Sequence, residues 1–416
     1  MSKQVSIIGG GVIGLCCAYY LQKKGCSVTV IDRGDLTSGT SFGNAGYISP
    51  SHFIPLSSPG IVSKGLRWML SSSSPFYIKP RLDPDLFRWA LAFWRNANEQ
   101  TMRRNIPPLA GILKLSRELM TAIRDDLGNR FRMSESGCLM LYQSAGTEKH
   151  ERELAVQAAA LGMETVALNG QQVQDMEPEI EVRVRGGVWY PIDCHLHPGD
   201  FMNALKDRLE QDGVEFRLQT EITDFEIREG RIKGVLSGEE KFPCDELILA
   251  AGSWLPLLTR KLGFHLLMQA GKGYSMTYTD QKKNLQHPAI LVDHRVAMTP
   301  MGRDLRMGGT MELSGINDRI LLKRVRAIFE ASRQYYPQLD LEFPAPAGIW
   351  SGLRPVTPDG LPYIGRVRRY SNLVVAGGHA MLGLSLAAAT GKLVEELVTS
   401  DKASLDMHAF AVERYH

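Results

Sequence analysis

The stretch VSIIGGGVIG at residues 5–14 is a short β-rich run that enters a glycine turn with the spacing GxGxxG. In that spacing Gly9 permits a tight turn, Gly11 lets the backbone approach a pyrophosphate, and Gly14 lets the following helix pack closely on the strand. The free N–H groups and the positive dipole end of that helix would face the phosphates. The stretch therefore predicts a strand, turn and helix that bind a phosphate-bearing ligand.

The residues that follow extend this pattern into a complete unit. Residues 15–24 predict a helix, which Gly25 ends, and residues 27–31 predict a second strand. Asp32 closes that strand, 18 residues beyond the last glycine of the turn. A carboxylate at this place can accept hydrogen bonds from a ribose hydroxyl pair, which favours an adenine dinucleotide that lacks a 2′-phosphate.

The segment after Asp32 favours one dinucleotide over another. Residues 39–46 (GTSFGNAG) are small and polar and do not enter a further helix. Such a segment can lie extended along a cofactor and offer it backbone N–H and hydroxyl groups. An enzyme that binds a nicotinamide dinucleotide rarely has such a segment. FAD is a longer molecule and would be in contact with it, so the pattern favours FAD.

Composition limits the class of protein. The 416 residues, of which 22% are charged and 44% hydrophobic, predict two to three folded domains and exclude a disordered or collagen-like chain. A net charge of +3 is too weak a field to favour binding of nucleic acid. The six cysteines form no CxxC pair, which is typical of reduced thiols in a cytoplasmic protein.

One region departs from this balance. Between residues 64 and 132, 13 basic residues stand against 6 acidic ones. The aromatic residues interleaved there are Trp68, Phe76, Tyr77, Trp89, Phe93 and Trp94. Such a surface can contact anionic lipid. A helix at residues 86–97 that packs its aromatic residues inward and its arginines outward explains the same pattern, and this second interpretation is favoured.

Two uncharged stretches, residues 5–22 and 373–391, resemble membrane segments. Each is interrupted by a glycine cluster, which a spanning helix tolerates poorly. Both are better explained as a buried strand, a glycine turn and a helix. No transmembrane helix is predicted.

The rest of the chain alternates between helical and extended patterns. Helices are predicted at residues 109–127, 148–161 and 201–212, and strands at residues 137–142, 214–218, 221–228, 231–236 and 246–252. Residues 272–310 are β-rich, and Pro107-Pro108 is interpreted as a loop or a helix start. The predicted fold class is α/β (α+β), with a Rossmann-like FAD-binding domain assembled from discontinuous segments and a β-rich substrate domain with helices. The predicted boundaries are residues 1–56, 195–256 and 350–416 for the first domain and residues 57–194 and 257–349 for the second.

Five motifs carry a resemblance to a known family over nearly the full length. They are residues 9–14 with Asp32, residues 40–50 (TSFGNAGYISP), residues 271–275 (GKGYS), residues 352–360 (GLRPVTPDG), and residues 377–379 (GGH) leading to Gly383. On these motifs the chain resembles the FAD-dependent D-amino-acid oxidase superfamily, and within it the bacterial D-amino-acid dehydrogenases of the small-subunit type. The second and third motifs are the ones specific to that subfamily.

The resemblance and the glycine turn together imply a set of cofactor contacts. The residues expected to bind FAD are Gly9, Gly11, Val12, Ile13, Gly14, Asp32, Arg33, Thr40, Ser41, Asn44, Ala45, Gly46, Ile222, Ala251, Gly252, Lys272, Gly378, His379 and Gly383. The helix after His379 resembles the family element at the pyrimidine edge of the flavin, where its N-terminus would stabilise the anionic reduced ring. Lys272 resembles a lysine near the flavin, although a solvated surface lysine explains it equally well.

Arg354 is the principal residue expected to bind substrate. The arginine of the Gly-Leu-Arg-Pro segment anchors the substrate carboxylate in the glycine oxidases that this segment resembles, and a guanidinium makes a bidentate pair with a carboxylate. The alternative is a structural ion pair, for which Asp359 is the nearest candidate in sequence. Those oxidases have a second arginine where this chain has Met381, so other residues must supply the remaining contacts to the substrate carboxylate. The candidates are Tyr274, Arg295 and His294, with Met311 at a position that is either pocket or core.

The resemblance implies oxidative deamination of a D-amino acid. A hydride passes from the α-carbon to flavin N5, and water hydrolyses the imino acid to a 2-oxo acid and ammonia. The flavin carries this chemistry, so no catalytic side chain is predicted. The electrons would pass to a quinone or other carrier. The protein is expected in the cytoplasm or at a peripheral position on the inner face of the membrane. No oligomeric state is predicted.

Several alternatives stay open at this level. They are a D-proline or D-hydroxyproline dehydrogenase, an oxidase of sarcosine, glycine or another secondary amine, an oxidase that uses oxygen, an FAD-dependent tRNA-modifying protein, and a non-catalytic FAD-binding module. Asp193, Cys194, His195 and His197 resemble a metal site, because a two-residue spacing puts both histidines on one face of a strand. No second ligand cluster accompanies it, and no metal is predicted.

Overall fold

The computed structural model describes residues 2–63 and 74–415. Within them the chain forms mixed sheets and helices, which confirms the predicted α/β (α+β) class. Lys64 and Trp68 of the basic, aromatic region lie outside the described residues. Two large sheets organise the rest.

The first sheet has six strands and contains the predicted βαβ unit. In sheet order the strands are Tyr363–Val367, Tyr370–Gly377, Glu246–Leu249, Gln4–Ile8, Ser27–Ile31 and Glu215–Arg217. All neighbours are parallel except the first pair, so the carboxyl ends of five strands meet at one edge. A glycine turn joins the strand Gln4–Ile8 to the helix Val12–Lys23 at that edge.

Both faces of this sheet are covered, as its continuous apolar strands require. The helices Val12–Lys23 and Gly383–Thr399 pack against one face, where Val5, Ile7 and Val30 are buried. A three-stranded antiparallel sheet covers the other face. Its strands are Asp224–Arg228, Arg231–Ser237 and Glu240–Pro243.

The second sheet has nine strands and is mostly antiparallel. In sheet order eight of them are Ile349–Val356, Gln269–Tyr278, Asp304–Leu313, Val296–Met301, Ala289–Leu291, Cys138–Tyr142, Gly186–Tyr190 and Val166–Asn169, and Phe76–Ile78 pairs with the third. The helix Leu322–Tyr335 packs on one face over a core that includes Val325, Ile328 and Phe329. The other face borders a large cavity.

The remaining elements connect the two sheets. A two-stranded sheet pairs Tyr47–Ile48 with Cys194–His195. The other α-helices are Pro84–Asn96, Glu99–Asp126, Ala145–Ala160, Gly170–Met176, Pro198–Gln211 and Leu255–Lys261, and short 3₁₀ turns occupy Gly252–Trp254, Pro346–Gly348, Ala380–Leu382 and His408–Phe410.

Several of these helices begin where the sequence supplies a cap. Asp83 accepts hydrogen bonds from the backbone N–H groups of Asp85 and Leu86, just before Pro84 at the first helical position. The Asn98 side chain accepts a hydrogen bond from the N–H of Thr101 in the same way. Each cap satisfies N–H groups that the first turn of a helix leaves without a partner.

The interpretation of Pro107-Pro108 as a loop or a helix start is wrong. Both prolines lie inside the helix Glu99–Asp126, which begins ten residues before the predicted start at residue 109. Proline removes one backbone donor and is costly inside a helix. The Asn98 cap and the buried face of Leu109, Ile112 and Leu113 hold the helix together in spite of that cost.

The predicted domain division can be compared with the sheets but stays a prediction. The boundary at residue 350 assigns the strand Ile349–Val356 to the cofactor domain, whereas this strand pairs with Gln269–Tyr278 in the nine-stranded sheet. Residues 373–391 contain the end of a strand and the start of a helix. Among residues 2–63 and 74–415, no helix is both long enough and apolar enough to cross a membrane.

Candidate functional site

A cavity of about 1030 Å³ lies where the carboxyl edge of the six-stranded sheet meets the nine-stranded sheet. Open α/β sheets bind ligands at this edge. The volume is at the upper end of the usual range for ligand pockets, which indicates one long ligand or two ligands side by side.

The glycine turn forms the first part of the wall. Gly9 has a φ of 109°, and a Cβ atom there would lie 2.5 Å from the carbonyl oxygen of Ala250. A Cβ atom on Gly14 would lie 1.8 Å from the carbonyl oxygen of Gly9, so the helix can approach the strand only without one. Gly14 therefore supports the turn but does not border the cavity, whereas Gly9, Gly11, Val12 and Ile13 do.

Asp32 closes the second strand beside this turn. Its carboxylate accepts hydrogen bonds from the backbone N–H groups of Gly10 and Gly34, each at 2.7 Å. The side chain borders the cavity, so its remaining lone pairs are open to a ligand. Next to it, the Arg33 guanidinium lies 4.0 Å from the ring centroid of Trp254. The strand Glu246–Leu249 is followed by Ala251 and Gly252, which border the cavity. Ile222 borders the cavity as well.

The small polar segment runs from this turn to the strand that carries Arg354. The Val12 N–H donates a hydrogen bond to the Ser41 hydroxyl oxygen at 2.9 Å. Thr40 exchanges two hydrogen bonds with the backbone of Leu353, at 3.0 and 3.1 Å. Thr40, Ser41, Asn44 and Ala45 border the cavity. Gly46 does not, because its φ of 87° turns the chain against the carbonyl of Leu196.

A second helix N-terminus faces the cavity. The 17-residue helix Gly383–Thr399 has no side-chain cap, and Gly383 borders the cavity. Its free N–H groups therefore put a partial positive charge there. His379 borders the cavity as well, with its Nε2 2.9 Å from the Thr390 hydroxyl oxygen, and burial lowers its pKa to about 3. Gly378 instead packs on Thr357 and Tyr363 outside the cavity wall.

These residues fit FAD by their shape and their donor set. The turn excludes a Cβ at Gly9, and at Gly11 a side chain would project toward Ser41. Two helix N-termini border one elongated space. The first, whose Val12 N–H binds Ser41, lies beside the Asp32 carboxylate, and the second lies beside the nine-stranded sheet. The first arrangement suits a ribose and a pyrophosphate, and the second suits a ring system that gains negative charge.

Arg354 lies in the wall that the nine-stranded sheet contributes. Its Nη1 donates to the carbonyl oxygen of Thr310, and Gly273 leaves the space that the guanidinium fills. Burial lowers the pKa of Arg354 to about 10, so the side chain is still charged near neutral pH. No carboxylate among the described residues forms an ion pair with it, and Asp359, the proposed structural partner, instead binds Arg414 at 2.7 Å. This leaves the Arg354 charge available to a ligand.

The other predicted substrate residues differ in where they lie. Arg295 and Met311 border the cavity. Tyr274 borders it too, but its hydroxyl donates a hydrogen bond to the Glu312 carboxylate at 2.7 Å, inside the core. His294 packs edge-on against Tyr335 and does not border the cavity.

Lys272 is fully buried and does not border the cavity. Its ammonium group donates hydrogen bonds to the Asn317 side chain and to the carbonyl oxygen of Arg319, the latter at 2.8 Å. This burial contradicts the alternative of a solvated surface lysine, and a position near the flavin stays a prediction. Successive residues of a strand face opposite sides of the sheet, so Lys272 faces away from the side on which Gly273 meets Arg354.

Some cavity residues were not among the predictions. They are His52, Trp89, Met140, Glu151, Leu154, Tyr190, Ile290, Val292 and Trp350. The sequence pattern could have identified Trp89, because it is the buried aromatic residue of an amphipathic helix. In the structure its Nε1 donates a hydrogen bond to the carbonyl oxygen of Val356 at 2.9 Å. The pattern also marks Glu151 as unusual, since it is a charged residue on a helix face that is otherwise apolar.

The Asp193 region is held by hydrogen bonds within the protein. The Asp193 carboxyl group lies 2.5 Å from the Ser51 hydroxyl and accepts a hydrogen bond from the Ser51 N–H at 3.0 Å. Burial raises the pKa of Asp193 to about 7. Across the described part of the chain, no cluster of three or more metal-ligating side chains is present.

A family model and relatives of known name match most of the chain. The model of a family described as FAD dependent oxidoreductase (DAO) matches residues 4–397. The D-amino acid dehydrogenase of Granulibacter bethesdensis is 32% identical over 422 residues, which covers 99% of each chain. That of Helicobacter pylori is 32% identical over 401 residues, which covers 95% of each chain.

Solved structures share the fold. The glycine oxidase from Geobacillus kaustophilus superposes with a TM-score of 0.79 at 22% identity over 99% of each chain. The L-proline dehydrogenase from P. horikoshii superposes with a TM-score of 0.78 at 19% identity, over 100% of this chain and 98% of its own.

Proposed function

This chain belongs to the DAO family of FAD-dependent oxidoreductases, and from that premise we propose that it oxidises the amine of D-amino acids. The substrate loses a hydride from its α-carbon and a proton from its nitrogen, and water then converts the imino acid to a 2-oxo acid and ammonia. The dehydrogenases of Granulibacter bethesdensis and Helicobacter pylori, which match 99% and 95% of the chain, support both the substrate class and its handedness.

The observation that carries this proposal is the unpaired Arg354 guanidinium in the same cavity as the glycine turn. Arg354 donates one hydrogen bond to Thr310, and a charged guanidinium has five N–H donors, so further donors can bind a carboxylate in one orientation. It thereby fixes the α-carbon relative to a cofactor that the turn holds. FAD, when bound, supplies the two-electron acceptor for this chemistry.

The chain's own residues have three tasks in this scheme. Asp32 and the N–H groups at the start of the helix Val12–Lys23 bind the ribose and the pyrophosphate. Arg354 orients the substrate. The N-terminus of the helix Gly383–Thr399 offsets the negative charge that develops beside it during oxidation. His379 is neutral near pH 7 because its pKa is about 3, so the helix, and not this side chain, supplies the positive potential.

We also propose that the electrons leave for a quinone or another carrier at an anionic membrane surface. The support is the helix Pro84–Asn96, on which Phe87, Leu91 and Trp94 share one exposed face. Arg88 and Arg95 are exposed beside this face and form no salt bridge with a described residue. An exposed apolar stripe between unpaired arginines suits an anionic lipid surface.

The test of the reaction is anaerobic bleaching of the bound flavin. The purified holoprotein is mixed with paired D- and L-amino acids, including the prolines, and absorbance near the flavin maximum is followed. Bleaching by the D forms alone supports the proposal, and oxygen admitted afterwards separates an oxidase, which recovers its colour at once, from a dehydrogenase. Flavin that no amino acid bleaches would overturn it, and bleaching by L forms would overturn the handedness.

A further inference from the structure

A carboxylate stands on the buried face of the helix Ala145–Ala160, where the helical pattern requires an apolar residue. Glu151, Ala155 and Ala158 share one face at the spacing i, i+4, i+7, and all three are buried, with Glu151 only 3% exposed. Glu153, on the opposite side, is exposed. Helix packing alone therefore gives no reason for an acidic side chain at residue 151.

Glu151 borders the cavity, and one of its oxygens lacks a partner. The Oε2 atom is buried and makes no hydrogen bond within the described structure. A buried polar atom without a partner is costly, and proteins usually satisfy such atoms. Burial raises the pKa of Glu151 to about 7, against the opposing influence of the Arg295 charge. A ligand that donates a hydrogen bond explains why this atom is open.

The nine-stranded sheet connects this end of the cavity to Arg354. The Arg354 guanidinium donates to the carbonyl of Thr310 on the strand Asp304–Leu313. At the adjacent residue, a Cβ atom on Gly309 would lie 3.1 Å from the carbonyl oxygen of Arg295. Arg295 in turn acts electrostatically on Glu151. One continuous wall therefore runs from Arg354 to Glu151.

The space along this wall is mainly apolar. Its lining includes Met140, Leu154, Ile290, Val292 and Ala297. Arg295 and Glu151 are charged residues at its far end, and mainly apolar walls with a few polar groups are typical of pockets in which those groups give specificity. An amino acid held by its carboxylate at one end of such a wall extends its side chain toward the other end.

Resting on the proposed function, we propose that Glu151 selects substrates whose side chain ends in an N–H or O–H donor. The substrate carboxylate binds Arg354, the side chain lies along the apolar wall, and the Glu151 carboxyl group accepts a hydrogen bond from its end. A hydroxyl, an amide and an ammonium group share this donor chemistry. Because Arg295 already places a positive charge beside Glu151, the recognition does not require a cationic side chain.

The test compares matched pairs of substrates in the holoenzyme. The pairs are D-threonine and D-valine, D-asparagine and D-leucine, and D-lysine and D-norleucine, so that the donor stands at three distances from the α-carbon and is charged only in the last. We expect kcat/KM for the donor-bearing member to exceed that of its apolar counterpart by roughly 100-fold in at least one pair, because a site built around a hydrogen bond rejects an analogue that lacks it.

The variants Glu151→Leu and Glu151→Gln are measured beside Glu153→Gln, an exposed glutamate on the same helix. Glu151→Leu should abolish or invert the preference, Glu151→Gln should keep part of it, and Glu153→Gln should leave it unchanged. Flavin content and turnover of the apolar substrates report whether each variant is folded.

Two results would overturn the inference while the proposed function stands. One is equal use of both members of all three pairs by the wild-type enzyme. The other is an unchanged preference in Glu151→Leu. Flavin that no member of any pair bleaches, in wild type or variant, would instead overturn the proposed function and this inference with it.

Discussion

Arg354 is the residue whose replacement separates substrate binding from cofactor binding. Arg354→Ala removes the charge that the proposed carboxylate contact requires, while the FAD contacts around Gly9 and Asp32 are untouched. We expect kcat/KM for D-amino acids to fall by roughly 100-fold or more, since hydrogen bonds between charged groups contribute about 1.5–3 kcal/mol each. Steady-state kinetics and the flavin absorbance of the purified protein check this. Loss of flavin with the activity would reassign the residue to the cofactor.

Two glycines of the turn should respond differently to substitution. At Gly11 a Cβ atom would meet only the Ser41 hydroxyl oxygen, at 3.2 Å, so Gly11→Val leaves the fold intact but fills the space that the pyrophosphate needs. At Gly14 a Cβ atom would overlap the backbone of Gly9, so Gly14→Ala should separate the helix from the strand. We expect a folded protein without flavin from the first and a lower Tm from the second. A fully yellow Gly11→Val protein would contradict the assignment.

The roles of single residues could be predicted from the sequence only where one residue type has one physical role. The GxGxxG spacing identifies positions where a side chain cannot fit, and the structure shows that obstruction directly at Gly9 and Gly14. The alternative of a solvated Lys272 is wrong because the segment that carries Asn317 and Arg319 accepts hydrogen bonds from its ammonium group and helps bury it, which no local pattern reports. Glu151 was missed because its position matters only once the helix Ala145–Ala160 is placed against the cavity.

Among the elements, the helix Pro84–Asn96 leads to a prediction about membrane contact. The expectation that its aromatic residues face inward is correct for Trp89, which is 3% exposed, and wrong for Trp94, which is 63% exposed. Arginines stand beside the exposed face and not opposite to it. The helix therefore has an apolar face toward the protein and a second one toward the exterior.

We expect the wild-type protein to float with phosphatidylserine-containing vesicles in a sucrose gradient and to stay below pure phosphatidylcholine vesicles. Phe87→Ser combined with Leu91→Ser should reduce the floating fraction at least tenfold, because burying each of these side chains contributes about 1.5–3 kcal/mol. Val156→Ser, at an apolar residue of another helix that is 71% exposed, is the control. A double variant that floats like the wild type would exclude this helix as the contact.

Helix and strand positions were largely predictable because periodicity and caps are local. Their ends were not. The double proline interrupts the pattern of the helix Glu99–Asp126, and only the packing of Leu109 and Ile112 on the core shows that the helix continues through it. Packing on the core therefore outweighs the local preference of proline against a helix interior.

For the whole molecule, the arrangement of the sheets lay beyond sequence reasoning. The strands Cys138–Tyr142 and Ala289–Leu291 pair side by side although about 150 residues separate them. Nothing in either strand specifies its partner, since both are short apolar runs. The length of the chain and the alternation of strands and helices supplied the expectation of two domains, and the cavity between the two large sheets is apparent only when both are in place.

The stability of the molecule should depend on pH through Asp193, which joins the segment after Tyr47–Ile48 to the strand Cys194–His195. Its carboxyl group is buried against Ser51, and burial raises the pKa from 3.8 to about 7. Between about pH 4 and pH 7 the folded protein therefore keeps a proton that the unfolded chain has lost. Stability from this group is greatest at the acid end and falls as pH rises to about 7.

Buried neutral histidines have the opposite effect over part of this range, because burial lowers the pKa of His52 and His195 to about 4. Only a comparison between variants therefore isolates Asp193. Asn mimics the protonated acid, so Asp193→Asn should lose less stability than the wild type between pH 5 and pH 8, by on the order of 2 kcal/mol. Denaturant unfolding of the two proteins at both pH values measures the difference. Parallel changes in both proteins would mean that Asp193 is ionised in the folded state, and that the Ser51 contacts outweigh the cost of its burial.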